Sequence, residues 1–192
     1  MSETLGDFLS ERDCGEHLLL SFSKGSLPLK ERWRNNSLTA DFLADYAITF
    51  FPAGRGDDTR ALKRQREIKD SVSYIANELL ENGLKYHEGG AAHDLNIRFE
   101  IHSDRLVISQ TNVTGASRAE RLRHLARELL EEDIDTLFLQ RLENTDETSA
   151  GLGLITILHD HGAALAWRLS PLPNALHAVT TQATLILNPE EE

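Results

Sequence analysis

Of the 192 residues in this chain only one is cysteine, one is methionine and five are proline, and aromatic residues make up only 6%. Each shortage removes a class of protein. Cys14 alone cannot close an internal disulfide, and a lone thiolate does not build a structural zinc site. It is read as an inert thiol rather than a redox centre. No apolar run approaches the ~20 residues that span a bilayer, so no membrane association is expected. The opening Met1-Ser2-Glu3-Thr4 lacks the basic-then-apolar order of a signal peptide, and a cytoplasmic location is expected. Cations are scarce too: 20 Lys and Arg against 31 Asp and Glu leave a net charge of −11. That balance argues against nucleic acid as a partner, since its phosphates must be neutralised. The two basic clusters, Arg60/Lys63/Arg64/Arg66 and Arg118/Arg121/Arg123/Arg127, are not interleaved with stacking aromatics and read as solvated helix faces. No G-x-S-x-G elbow is present, so nucleophilic hydrolysis has no support.

What is present describes an ordinary globular chain, with 40% hydrophobic and 27% charged residues and enough length to bury roughly 70% of its unfolded surface. His17 to Ser23 reads as a strand, followed by a turn at Gly25/Pro28. Leu38, Phe42, Tyr46 and Phe50 then recur every four residues, as on one face of a helix ending before Pro52. A Gly- and Asp-rich linker, 53–59, precedes a long helix from Leu62 to His87. Leu95, Ile97, Phe99 and Ile101 alternate with polar residues as a half-buried strand, and Ser103-Asp104 turns it back into Arg105 to Gln110. Residues 117–144 have a charged helical pattern. Leu165, Trp167 and Leu169 form a strand, a turn covers Pro171 to Asn174, and Val179 to Leu187 returns. The acidic run 190–192 is the only low-complexity segment, and there is no internal repeat. This order predicts an α/β two-layer sandwich, with helices on one face of a mixed, largely antiparallel sheet.

Chemistry concentrates in Glu78-Leu-Leu-Glu-Asn82-Gly-Leu-Lys85-Tyr86. At about 100° per residue, Glu78, Asn82 and Lys85 share one stripe beside the apolar face of Ile68, Val72, Ile75, Leu79 and Tyr86. A carboxylate can activate a hydroxyl, an amide oxygen can ligate Mg²⁺, and a lysine can meet a phosphate. Farther on, Gly151-Leu152-Gly153 precedes an apolar helical run from Ile155 to His161. Backbone N–H groups there can approach an anion at the positive end of the helix dipole. His159 and His161 lie at i, i+2 near that helix end and point apart, which disfavours a metal site, and His87 is read as a helix-end residue.

An acid–amide helix, a hairpin, a variable segment and a G-x-G-L helix start, in that order, resemble the GHKL superfamily of Bergerat-fold ATPases and kinases. The resemblance covers roughly residues 65 to 188. It implies Glu78 as candidate catalytic base, Asn82 as Mg²⁺ ligand, and Asn82, Lys85, Asn112, Gly151, Leu152 and Gly153 as the binding set for ATP or ADP. The family's D-x-G-x-G is missing: Gln110-Thr111-Asn112-Val113-Thr114-Gly115 stands there, with neutral Asn112 in the place of the adenine-binding Asp. The resemblance divides the chain into an N-terminal strand and helix extension, 1–60, packed on or dimerising the core, and an ATP-binding domain, 61–192, with a lid at 117–150. No phosphoacceptor His lies on the front helix. The chain therefore resembles small stand-alone bacterial regulators such as anti-sigma-factor kinases and SiaB-type serine/threonine kinases. That likeness implies Mg²⁺-ATP-dependent phosphorylation of a regulatory protein partner in a partner-switching circuit. A non-catalytic adaptor with a degenerate nucleotide site, and an ATPase switch, stay open beside it.

Overall fold

The computed structural model describes residues 1–10, 16–23, 33–52, 59–88, 93–143 and 151–187. In chain order the elements are β1 (Glu3–Leu5), β2 (Glu16–Phe22), α1 (Trp33–Ile48), α2 (Thr59–Tyr86), β3 (Leu95–Ile101), β4 (Arg105–Gly115), α3 (Ala116–Glu131), α4 (Ile134–Glu143), α5 (Leu152–His159), β5 (Ala164–Pro171) and β6 (Leu176–Ile186). Cys14, the Gly25/Pro28 turn, linker residues 53–58, residues 144–150 of the expected lid and the acidic tail lie outside the described residues.

Alternation in the strands decides which face is covered. Six strands form one sheet in the order β1-β5-β6-β4-β3-β2, and every described pairing is antiparallel. Phe99 pairs with Ile108, Ile108 with Ala183, and Ala183 with Leu165, so one row of inner side chains crosses four strands. All four are buried in the hydrophobic core. Strand geometry puts their neighbours on the opposite face. The expected two-layer sandwich is therefore present: five helices pack against a six-stranded antiparallel sheet. α2 is its central helix, with Val72, Ile75, Ala76, Leu79 and Leu80 at most 1% exposed.

Three local readings change. A strand signal is weak in three residues, and Glu-Thr-Leu pairs as β1 on the free edge of β5. Gly6 follows in left-handed conformation (φ +74°), where an added Cβ would lie 2.8 Å from the Leu165 carbonyl oxygen. The chain then crosses the back of the sheet, where Leu9 N–H donates to Gln182 Oε1 (2.7 Å) and Gln182 Nε2 donates to the Leu9 carbonyl (3.2 Å). α1 forms as expected but buries the other face. Ala40, Leu43, Ala44 and Ala47 are at most 1% exposed, whereas Leu38, Phe42 and Phe50 are exposed. Small residues win because α1 lies against α2, and alanines let two helices approach closely. Finally, α5 begins at Leu152 and ends at His159, three residues earlier than the apolar run suggested at its start.

The burial on α1 predicts a contrast. Leu43→Ala should cost about 2–5 kcal/mol of unfolding free energy, and Leu38→Ala less than about 0.5 kcal/mol, in urea melts at sub-micromolar protein. Equal losses would restore the large-residue face as the buried one.

Candidate functional site

Helix periodicity puts Glu78 and Asn82 one turn apart, and they are bonded: Asn82 Nδ2 donates to Glu78 Oε1 at 2.7 Å. The orientation leaves Asn82 Oδ1 as the free acceptor of that amide. Glu78 sits where α2 meets α5. A Cβ added at Gly153 would lie 2.0 Å from the Glu78 carboxyl carbon, so only glycine fits there with the carboxyl in place. Burial pushes the Glu78 carboxyl above its ordinary pKa and the Asn82 bond pulls it back in part. Glu81 adds to the rise and Lys85 opposes it. A carboxylate moved toward neutral pH is a better proton acceptor than a solvated one.

Beside this pair lies a cavity of about 400 Å³ between the sheet and the helices. Its floor is the inner face of β4 and β6: Gln110, Asn112 and Thr114, with Thr181 and Val179 in register opposite the first two. Asn82, Leu79 and Tyr86 of α2 form one wall. α3 forms another through Leu122 and Leu125, with Arg118, Arg121 and His124 at its rim, while Arg141 of α4 and Gly151 at the α5 start complete the enclosure. Gln110 Nε2 and Thr114 Oγ1 are buried with no hydrogen-bond partner among the described residues. Each such group costs about 1–3 kcal/mol unless something pairs it. A polar floor under largely apolar walls suits a ligand with a flat hydrogen-bonding face.

The rim is not free charge. Arg118 Nη1 lies 2.7 Å from Glu88 Oε1, tying the end of α2 to the start of α3. Arg141 Nη2 donates to both Glu128 oxygens, at 2.7 and 2.9 Å. His87 adds a second tie: Val113 N–H donates to its Nδ1 (3.3 Å), while Nε2 lies 3.1 Å from the His93 carbonyl oxygen. Burial lowers the pKa of His87, which keeps the ring neutral and able to accept from Val113.

Asn82, Asn112 and Gly151 line the cavity, so the structure brings together the acid–amide helix, the β4 position and the α5 start. The expected strand end at Gln110 moves: Asn112 lies mid-strand in β4, 6% exposed, because β6 pairs along the whole length to Gly115. Lys85 and Leu152 are not on the cavity lining. Lys85 is exposed and its Nζ lies 5.4 Å from the centre of the Tyr86 ring. Gly153 sits inside α5 and faces Glu78, while Gly151 is the helix cap, with φ +99°. The described part of the expected lid is two packed helices whose Ala126, Leu129 and Leu137 belong to the core. His159 stacks on Phe138 at 4.3 Å and His161 on Tyr74 at 4.7 Å, so the two rings turn to different elements. The floor residues Gln110, Thr114 and Thr181 and the rim residues His124 and Arg141 were not foreseen as site residues. Their signal was polar side chains at period two, Gln110-x-Asn112-x-Thr114, on a strand whose inner face is otherwise apolar.

No protein-family model matches the chain, and no curated protein matches its sequence. Among solved structures it is similar in fold to a chain in the crystal structure of the SiaB–SiaC complex from Pseudomonas aeruginosa. The TM-score is 0.55 at 15% sequence identity, over 87% of this chain and 89% of that one. The likeness is one of fold.

The raised Glu78 pKa sets a pH test. Between its unfolded pKa and its higher folded pKa the native state holds more protons, so this group lowers stability as pH rises through that window and the loss persists above it. Glu78→Gln should therefore raise Tm relative to wild type more at pH 7 than at pH 4. A difference independent of pH would show that the carboxyl is not desolvated.

Proposed function

We propose that this chain is a nucleotide-binding regulator of bacterial signalling that holds ATP or ADP with Mg²⁺ and phosphorylates a serine or threonine of a partner protein. The observation that carries the reading is the paired Glu78–Asn82 stripe beside a cavity whose floor holds two buried polar groups with no partner among the described residues. The amides of Gln110 and Asn112 offer both a donor and an acceptor, which is the complement of an adenine edge. Gly151 and the α5 N-terminus, with Arg121 near the rim, suit the phosphates. Asn82 Oδ1 suits a hard cation.

Bound Mg²⁺-nucleotide would supply the transferable phosphoryl group. Glu78 would accept the proton of the attacking hydroxyl, and Asn82 would hold that carboxylate in place through its Nδ2. The fold likeness to a member of a two-protein complex supports a protein partner as the acceptor. One observation favours the adaptor reading instead: Arg118 and Arg141 already have carboxylate partners, so the rim can stand without a phosphate.

Calorimetric titration with ATP and with ADP, each with and without Mg²⁺, separates these readings. Binding should occur, depend on Mg²⁺, and lose that dependence in Asn82→Ala. A Cβ and two methyls at position 153 should displace Glu78, so Gly153→Val should abolish transfer. No heat at millimolar nucleotide would leave the adaptor. Where nucleotide binds, labelled ATP and a partner captured from the native cytosol test transfer, and Glu78→Gln should slow it roughly 10²–10⁴-fold while sparing binding.

A further inference from the structure

The cavity wall formed by α3 is seated mainly on small residues. Ala119, Ala126 and Leu129 are the residues it buries, and an alanine offers the sheet only one methyl. What holds its two flanks therefore decides where it lies. At about 100° per residue, Arg123 and Arg127 project roughly 100–160° around the helix from Leu122 and Leu125, with both alanines between the two sides. Leu122 and Leu125 face the cavity, and Leu125 reaches the α5 start: a Cβ at Gly151 would lie 3.1 Å from its Cδ1.

The other flank meets the N-terminal strand. Arg123 Nε donates to Glu3 Oε2 at 2.6 Å, and Arg127 Nη2 lies 3.5 Å from Glu3 Oε1. The Arg123 side chain is 19% exposed against 41% for Arg118, so water screens this tie less than the one at the helix start. β1 itself is three residues long and pairs on one side, with β5. Ser2 Oγ and Ser170 Oγ lie 2.8 Å apart next to that pairing. Behind β1 the chain is fastened separately, by the bonds between Leu9 and Gln182 and by the Arg168 guanidinium 4.0 Å from the centre of the Phe8 ring.

We infer that β1 is a strap for the cavity: while it is paired on β5, Glu3 holds the outer flank of α3 down, and release of β1 frees α3 to swing away from Gly151 and open the site. The Glu3 contact and the Gly151 contact lie on opposite sides of the alanine seat, so loss of the first loosens the second. A three-residue edge strand is a unit that opens locally well before the core does. Phe8 and Leu9 stay fastened when it opens, which keeps the freed strand close and makes re-pairing cheap in chain entropy. Control of nucleotide release by the strap rests on the proposed function, whereas the tie between β1 and α3 does not.

Hydrogen exchange on the full chain without ligand, in a Cys14→Ser background, tests the tie. Glu3→Gln should speed exchange of the α3 amides roughly three- to tenfold, the range for losing one half-exposed charged pair, and leave those of α2 unchanged. Arg123→Gln should do the same and add little to Glu3→Gln, because both remove one bond. In the opposite direction, Ser2→Cys combined with Ser170→Cys should form a disulfide that keeps β1 on β5 and slows α3 exchange, and reduction should reverse the effect. Release of a fluorescent ADP analogue in the presence of Mg²⁺, followed by stopped flow, should keep the same order, fastest from Glu3→Gln and slowest from the disulfide-locked form. Exchange of α3 that is equal in all forms, or that changes as much in α2, would overturn the strap. Nucleotide leaving every form at one rate would overturn its control of the cavity. Shifted α3 exchange in a protein that binds no nucleotide would uphold the strap and sink the nucleotide reading.

Discussion

Everything at the candidate site depends on how closely α2 can be approached from two sides. A Cβ at Gly153 would fall within 2.0 Å of the Glu78 carboxyl, and one at Gly83 would fall 2.5 Å from the Gln110 amide nitrogen. The two glycines let α5 and β4 close on the same helix. If α5 stood off by a side chain, Glu78 would be wetter and its carboxyl nearer an ordinary pKa. If β4 stood off, Gln110 would sit in water and its amide would carry no unmet demand. Burial of the acid and preorganisation of the polar floor are therefore two results of one packing constraint.

Local pattern carried part of this. The apolar stripe of α2 was legible because Val72, Ile75 and Leu79 repeat at helical spacing, and β3 was legible because its alternation is uninterrupted. The two-layer order followed from those elements, and Asn82, Asn112 and Gly151 do meet at one cavity. The failures are of one kind. β4 seemed to stop at Gln110 because polar residues on the inner face break the apolar alternation, although β6 pairs on to Gly115. α1 was read from its largest side chains, while the buried face belongs to alanines selected by a neighbour distant in sequence. In both, a long-range partner overrode a local signal, and no window along the chain contains that partner.

The rim shows how electrostatics can hold a site ready without declaring what it binds. Arg118 and Glu88 are each more than a third exposed, so their bond adds little stability. Its position matters more than its strength. The bond joins the end of α2 to the start of α3, the two helices that wall the cavity. An anion entering there would compete with Glu88 for Arg118, so occupancy and the α2–α3 contact are opposed.

Stability and chemistry also pull against each other at Glu78. A solvated carboxylate would cost the fold less, since burial, with a smaller push from Glu81, raises its pKa, and Asn82 and Lys85 return only part of that loss. A merely structural helix face would gain from glutamine, which keeps an acceptor for Asn82 without a charge to desolvate. Glutamate instead retains a half-buried charge, held by one amide and pressed against a glycine. A costly acid held in a fixed geometry is what the proposed proton transfer would use, and packing alone gives no reason to keep it.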